Sequence, residues 1–425
     1  MRVGDEGDGS KPRVLIVGGG IAGIEALLAL EDLAADRVQV TMVAPEPDLV
    51  YKPLIVEEPF KLQPAERHAL EPAVSELGGQ FVLAAVKGVR PDMHSVSIVE
   101  GGEGRYGSEL EYDLLVVCVG GRARAAYENA VTFRFRSVGD PLEVDDLLSR
   151  AGAHESNALA FVVPPGVTWA LPLYELALMT RRRAEERGQH DLRISLITPE
   201  EEPLTLFGSQ ASEAVAALLR ARGIEFTGGS TVRETDDGAL HVTPGDRPID
   251  AGAVAALPVI DGPRLQGLPC DEDGFIPIDE HARIQGVEDA YAAGDGTTFP
   301  IKQGGIGTQQ ADAAAEHIAA RLGAEIEPQP FHPVLRGQLI TGAESLSMRH
   351  DVTGGHGEGT TSPDYLWWPP HKVSGRYLAP WLAGTTPHTE PEPPPHSIDV
   401  EVELPTEWHR EPMALDRMTP IDDDE

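Results

Sequence analysis

The stretch RVLIVGGGIAGIEALLALEDL (residues 13–33) decides how the rest of the chain is read. RVLIV (13–17) is a short apolar run of β type that ends in glycines, and residues 21–33 continue with the Ile, Ala, Glu and Leu of a helix. A Gly-x-Gly-x-x-Gly that closes a strand and opens a helix lets the backbone approach a pyrophosphate at the helix N-terminus. Gly18, Gly20 and Gly23, with Ile21 and Ala22 between them, are therefore candidate ligands of a dinucleotide, whose identity this motif alone does not give. VQVTMVA (38–44) reads as the second parallel strand. It ends in Ala44, where an acidic residue usually holds the adenosine ribose. Glu46 stands two residues late and takes no assigned role.

The same pattern returns further on. ALAFVV (158–163), a helical stretch from Tyr174 to Glu186 and the strand ISLIT (194–198) form a second unit, and the strand exits match: Ala44-Pro45-Glu46 in the first, Thr198-Pro199-Glu200 in the second. This predicts an α/β fold with two Rossmann-like dinucleotide-binding domains. Between the units, residues 81–92 and 95–102 alternate like a small antiparallel layer before the buried strand YDLLVVCVGG (112–121). Later, AVAALPVI (253–260) leads to VEDAYAAGD (287–295) and an Ala-rich helix near 307–322.

Bulk composition narrows the function classes. At 425 residues the chain is long enough for two or three domains with proper cores. With 34 basic against 69 acidic residues the formal charge is -35, which argues against nucleic acid as a partner and against general adhesion to an anionic membrane. Two cysteines, Cys118 and Cys270, are too few and too far apart for a disulfide framework or a Cys-x-x-Cys site, and no metal site is expected. The expected location is cytoplasmic. Residues 1–12 lack the apolar run of a signal peptide, and no 18-residue apolar window predicts a membrane-spanning helix.

A second signature lies late in the chain. Ala292-Ala293-Gly294-Asp295, after Val287–Tyr291, is similar to the second FAD signature of flavoproteins with two dinucleotide-binding domains, in which the aspartate accepts hydrogen bonds from the ribityl or pyrophosphate region. Tyr112–Gly121 resembles the strand that ends in an Ala-Thr-Gly-type turn beside that cofactor, here Cys118-Val119-Gly120. Lys302, one of only six lysines, and Gln303-Gly304-Gly305 ahead of the Ala-rich helix offer positive charge and helix-end N–H groups to the anionic edge of a reduced flavin.

These motifs in this order resemble the pyridine nucleotide-disulfide oxidoreductase superfamily over about residues 13–325, in its type II NADH dehydrogenase and sulfide:quinone oxidoreductase branch. Pro300–Gly304 is similar to the Pro-Lys-Thr-Gly stretch of the sulfide enzymes, and Gln309-Gln310 to the double glutamine of the NADH enzymes near the quinone. Val50–Leu54, with Lys52, sits where these families place a loop over the flavin ring. The resemblance implies an FAD domain at 11–135 and 261–330, interrupted by an NAD(P)-like domain at 136–260, then a C-terminal region at 331–384. It implies cofactor-binding roles for Gly18, Gly20, Ile21, Ala22, Gly23, Lys52, Gly120, Gly294, Asp295, Lys302, Gln303 and Gly304. The implied activity is an FAD-dependent oxidoreductase that passes electrons from NAD(P)H or another reductant to an acceptor such as a quinone, with no catalytic residue assigned. The alternative is a flavin-binding sensor or assembly module without turnover.

Two departures qualify the pattern. The second unit's turn is Pro164-Pro165-Gly166-Val167-Thr168-Trp169, with one glycine, which disfavours tight NAD(P)H binding because proline lacks an N–H and Trp169 crowds the approach. Cysteine-based sulfide or dithiol chemistry is disfavoured because neither cysteine stands in the matching turn. LWWPPHKVSGRYLAPWLAG (366–384) holds three of five tryptophans with Lys372 and Arg376 and no acid. It reads either as a peripheral membrane or quinone-mouth element or as a lid on the flavin domain or a homodimer contact. Residues 385–425, rich in Pro, Glu and Asp, form an acidic tail expected to lack order.

Overall fold

Val14, Leu15, Ile16 and Val17 are all buried, so β1 (Arg13–Val17) is covered on both faces, as a parallel strand between helices requires. In the computed structural model the structure describes residues 11–62, 64–100, 105–135, 143–342, 349–350, 359–360, 371–384 and 398–403. After β1 come α1 (Ile21–Ala34), β2 (Gln39–Ala44), β3 (Gln80–Arg90), β4 (Ser95–Glu100), β5 (Arg105–Glu111) and β6 (Leu114–Val117). The second unit holds β7 (Ala158–Val162), α2 (Leu171–Glu186), β8 (Arg193–Ile197), β9 (Ile224–Thr227) and β10 (Ala253–Ala256). The chain then returns to the first unit with β11 (Ala290–Ala292) and α3 (Gly304–Arg321), and β12 (Val334–Leu339) follows.

The first sheet has seven strands in the order β11-β6-β1-β2-β3-β4-β5. β1 pairs in parallel with β2 on one side and β6 on the other, so Val17 stands opposite both Val43 and Val117 and the C-terminal ends lie together. That is the topological switch point at which open α/β sheets bind ligands. The second sheet is parallel throughout: Val131–Thr132, β10, β7, β8, β9. Two Rossmann-like sheets are therefore present, as the repeat predicts.

Three expectations change. Residues 80–90 are not part of a separate layer: β3 pairs in parallel with β2 from Gln80 to Leu83, then antiparallel with β4, so the meander extends the main sheet. The Ala-rich helix starts at Gly304 rather than 307, because the side chain of Gln303 accepts the Ile306 N–H and caps it there. Within the tail expected to lack order, Ile398–Glu403 forms a strand antiparallel to β12; its alternation of Ile, Val and Val with acids suits an edge strand. The rest of that tail, and residues 366–370, lie outside the described residues.

α1 and α3 pack against each other, close enough that a Cβ at Gly307 would stand 3.5 Å from the Ala22 Cβ. Ile24, Leu27 and Leu30 of α1 are buried beside Ala311, Ala314 and Ile318 of α3 in the first core. Each such Leu or Ile contributes about 1.5–3 kcal/mol by leaving water, so the small residues of α3 set the helix spacing while the larger ones of α1 supply the burial.

Candidate flavin cleft

The glycines act through space that only glycine leaves free. Gly18 has φ +115°, and a Cβ on it would lie 2.3 Å from the Cys118 carbonyl oxygen, so the β1 and β6 exits touch backbone to backbone. Gly20, the residue before α1, has nothing within 4 Å of where a Cβ would be. No side chain caps that helix and no acid lies in its first turn, so its N–H groups and positive dipole end stay available to an anion. Gly23 serves packing instead: its Cβ would meet the Gly18 carbonyl oxygen at 2.0 Å.

Gly18, Gly20, Ile21 and Ala22 face a cleft of about 1370 Å³ at the C-terminal ends of the sheet. Lys52, Gly120, Gly294 and Asp295 line it from other loops, and Lys302, Gln303 and Gly304 from the start of α3. Of the candidates, only Gly23 stays behind the wall. The size and the second uncapped-by-acid helix end, at α3, fit an extended anionic dinucleotide.

Lys302 is held in place. Its Nζ donates to the carbonyl oxygens of Thr297 (2.7 Å) and Phe299 (2.8 Å) and sits 3.6 Å from the centre of the Phe275 ring. Burial pushes its pKa down to about 8. Asp295 is raised from the usual carboxylate range by burial, with Lys302 and Lys52 opposing the shift.

Several supports act through partners distant in the sequence. Gln310, fully buried, accepts the Gly294 N–H at 2.8 Å and donates to Thr297 Oγ1 at 3.3 Å, which fixes the turn before Asp295. Gln309 donates to the Val334 carbonyl and accepts the Val334 N–H, so both amides of the double glutamine are engaged within the fold. On the far wall, Lys372 Nζ donates to Pro53 O (2.9 Å) and to Glu175 Oε2 (2.6 Å), and the Val373 N–H donates to Tyr51 Oη (2.8 Å). The described part of the aromatic segment, 371–384, is thus packed inward, with Tyr377, Leu378 and Ala379 buried.

The second unit's turn reaches the same cleft through Pro165–Trp169 but is tied down. Thr168 Oγ1 donates to Pro300 O at 2.6 Å, Trp169 packs edge-on against Phe207, and Pro172 removes an N–H from the first turn of α2. Glu200, at the exit of β8, accepts from Tyr174 Oη (2.7 Å) and Thr198 Oγ1 (3.1 Å), and burial pushes it up to about 7. Its carboxyl is therefore engaged inside the fold. The Cys118 thiol is buried and pushed up to about 12, which leaves it protonated and unreactive. Cys270 is exposed and does not line the cleft, although its neighbour Asp271 does.

Comparison with known proteins places this geometry. A family model described as pyridine nucleotide-disulphide oxidoreductase matches residues 12–317. The chain is 27% identical over 322 residues to the mitochondrial internal alternative NAD(P)H-ubiquinone oxidoreductase A1 of Arabidopsis thaliana, covering 68% of this chain and 61% of that protein. It is 27% identical over 376 residues to the alternative NAD(P)H-ubiquinone oxidoreductase C1 of the same plant, covering 77% and 70%. Among solved structures, the sulfide:quinone oxidoreductase of Aquifex aeolicus superposes with a TM-score of 0.62 at 20% identity, over 77% of this chain and 79% of that one. NDH2 of Plasmodium falciparum in complex with NADH gives 0.55 at 15%, over 68% and 65%.

Proposed function

The chain belongs to the pyridine nucleotide-disulphide oxidoreductase family, and on that premise we propose that it is an FAD-dependent oxidoreductase that passes electrons from NAD(P)H or another small-molecule reductant to a small-molecule acceptor such as a quinone. The observation that carries this reading is convergence: Gly18–Ala22, Gly120, Gly294-Asp295 and Lys302–Gly304, far apart in sequence, line one cleft. When bound, FAD supplies the two-electron chemistry that links donor to acceptor.

In this reading the chain's residues bind, orient and tune. The α1 N-terminus at Gly20 receives the pyrophosphate, and Asp295, fixed by Gln310 through Gly294, accepts hydroxyl hydrogen bonds from the cofactor's chain. Lys302 and the N-terminus of α3 place positive charge at the ring edge that becomes anionic on reduction. The 3-10 turn Lys52–Phe60 and residues 372–373 close the opposite side and exclude water. No cysteine takes part, since Cys118 is buried and held protonated.

The inward packing of 371–384 supports a lid role for the aromatic segment over membrane contact, and no helix among the described residues is long and apolar enough to cross a membrane. The tied-down turn at 164–169 supports one alternative, a flavin-binding sensor without turnover. The direct test of the cofactor is gentle purification followed by release of the bound chromophore. The reading expects one FAD per chain in the native protein; a colourless protein that takes up no FAD would sink it.

A further inference from the structure

Glu25 stands two residues after Gly23, on the helix whose N-terminus opens the cleft, and it is wholly buried. Dinucleotide binding has no use for an acid at this place. Its carboxylate instead grips the C-terminal segment: Oε1 accepts the Tyr377 N–H at 2.9 Å and Oε2 the Leu378 N–H at 2.6 Å. Gly375 comes so near that a Cβ there would lie 2.6 Å from Glu25 Oε2. A few residues earlier, the same segment supplies Lys372 and Val373 to the cleft wall. Val373 also packs on Gly304, where a Cβ would stand 3.0 Å from its Cγ2.

The surroundings of Glu25 say which form it takes. The Asp312 side chain of α3 lies against it and brings no cation there, and Asp312 Oδ1 is buried without a hydrogen-bond donor. Two carboxyl groups can share a hydrogen bond only with a proton between them. Both oxygens of Glu25 accept N–H groups, so Glu25 is the ionised member and Asp312 the protonated one. The other charged groups near the segment are engaged: Arg376 pairs with Glu316 at 3.0 Å, and Tyr377 Oη donates to Asp32 at 3.2 Å.

We propose that Glu25 is a positioning residue: ionised and hydrogen-bonded by protonated Asp312, it seats residues 372–378 as a wall of the flavin cleft, and loss of the Asp312 proton loosens that wall. The identity of what the wall encloses rests on the FAD reading; the anchor itself does not. Burial raises both carboxyls, and Glu25 raises Asp312 further. The docked state therefore holds a proton that the released state gives up. Docking weakens as pH climbs above the usual carboxylate range towards the raised value of Asp312, and it also weakens at the acid end, where Glu25 takes up a proton of its own.

Amide hydrogen exchange on the full-length protein as purified tests this. In Glu25→Ala and in Gly375→Ala, exchange at Tyr377 and Leu378 rises by about tenfold or more, the scale of losing a hydrogen bond to a charged group, while amides of β1 and β6 keep their protection. In the native chain, exchange at these two amides, corrected for its intrinsic pH dependence, accelerates between acidic and alkaline buffer. Asp312→Asn, which keeps a neutral donor, stays protected and loses that pH dependence. The KM for acceptor rises in the two alanine variants and returns to its native value in Asp312→Asn. Unchanged exchange at 377 and 378 in both alanine variants overturns the proposal, as does an equal pH response in the native chain and Asp312→Asn. If Glu25→Ala unfolds throughout, Gly375→Ala decides, because it displaces the segment from outside α1. Absence of FAD from the native protein counts against the cofactor reading alone, whereas the amide rates bear on the anchor alone.

Discussion

Lys302 is a buried ammonium held by two carbonyl oxygens and an aromatic face, and in the proposed function it is the side chain that tunes the chemistry of the cleft. Lys302→Met should leave FAD bound but slow its reduction by about 10²-fold, the usual scale for removing one preorganised charge; rapid mixing under anaerobic conditions reads this. Its pKa of about 8 sets the sign of the pH effect. The ammonium is present below about pH 8 and lost above it, so reduction in the native chain should fall as pH passes that value and the methionine variant should show no such step. Cys118 makes the opposite prediction. Its thiol, pushed up to about 12, stays protonated, so Cys118→Ala should keep turnover within about twofold. Gly18→Ala should lose FAD, since its Cβ meets the Cys118 carbonyl oxygen at 2.3 Å. The places of Lys302 and Gly18 on the cleft were legible in the sequence because each belongs to a local motif, and Gln310 was legible as half of the double glutamine though not the Gly294 turn that it holds. Glu25 and Glu175 were not: each acquires its role from a partner elsewhere in the fold, such as Lys372 for Glu175, and no spacing rule joins the two.

The elements divide the same way. β1, α1 and the strands of the second unit follow from apolar runs and glycine exits, and β1 falls on residues 13–17 as read. What the local pattern lacks is the choice of neighbour. β3 alternates as a strand of a small antiparallel layer does, yet it pairs in parallel with β2 up to Leu83 and antiparallel with β4 from Ala84 onward, with an irregularity at Val86–Gly88. The turn into α2 was legible as a weak nucleotide site, but not that Glu200 would fold inward onto Tyr174. That contact has a measurable consequence. A carboxyl raised to about 7 is neutral by preference in the folded chain, so its contribution is fully present below its ordinary value near 4.5 and is lost as pH rises through about 7. The melting temperature of the native chain should therefore drop more between pH 5 and pH 8 than that of Glu200→Gln, as followed by circular dichroism; parallel curves would contradict the assignment.

At the scale of the whole molecule, two Rossmann-like sheets meet at one cleft, and segments from the two ends of the chain close it. The first sheet supplies helix ends and glycines; the second supplies a wall in which Pro172 and Trp169 stand where a second nucleotide would need N–H groups and space, while Glu200 is turned inward onto Tyr174. The charge of -35 argues against nucleic acid as a partner of that cleft. Family, fold and cofactor were readable because three motifs had to appear in a fixed order; donor and acceptor were not, because their sites are shaped by loops that carry no such order. The most direct test of the account is to mix the purified protein anaerobically with NADH, NADPH and sulfide in turn, follow the visible absorbance of the flavin, and then add a soluble quinone. The account predicts that at least one donor bleaches the flavin and that the quinone restores its colour. A flavin that no donor bleaches and no quinone reoxidises would contradict it and leave the non-catalytic sensor in its place.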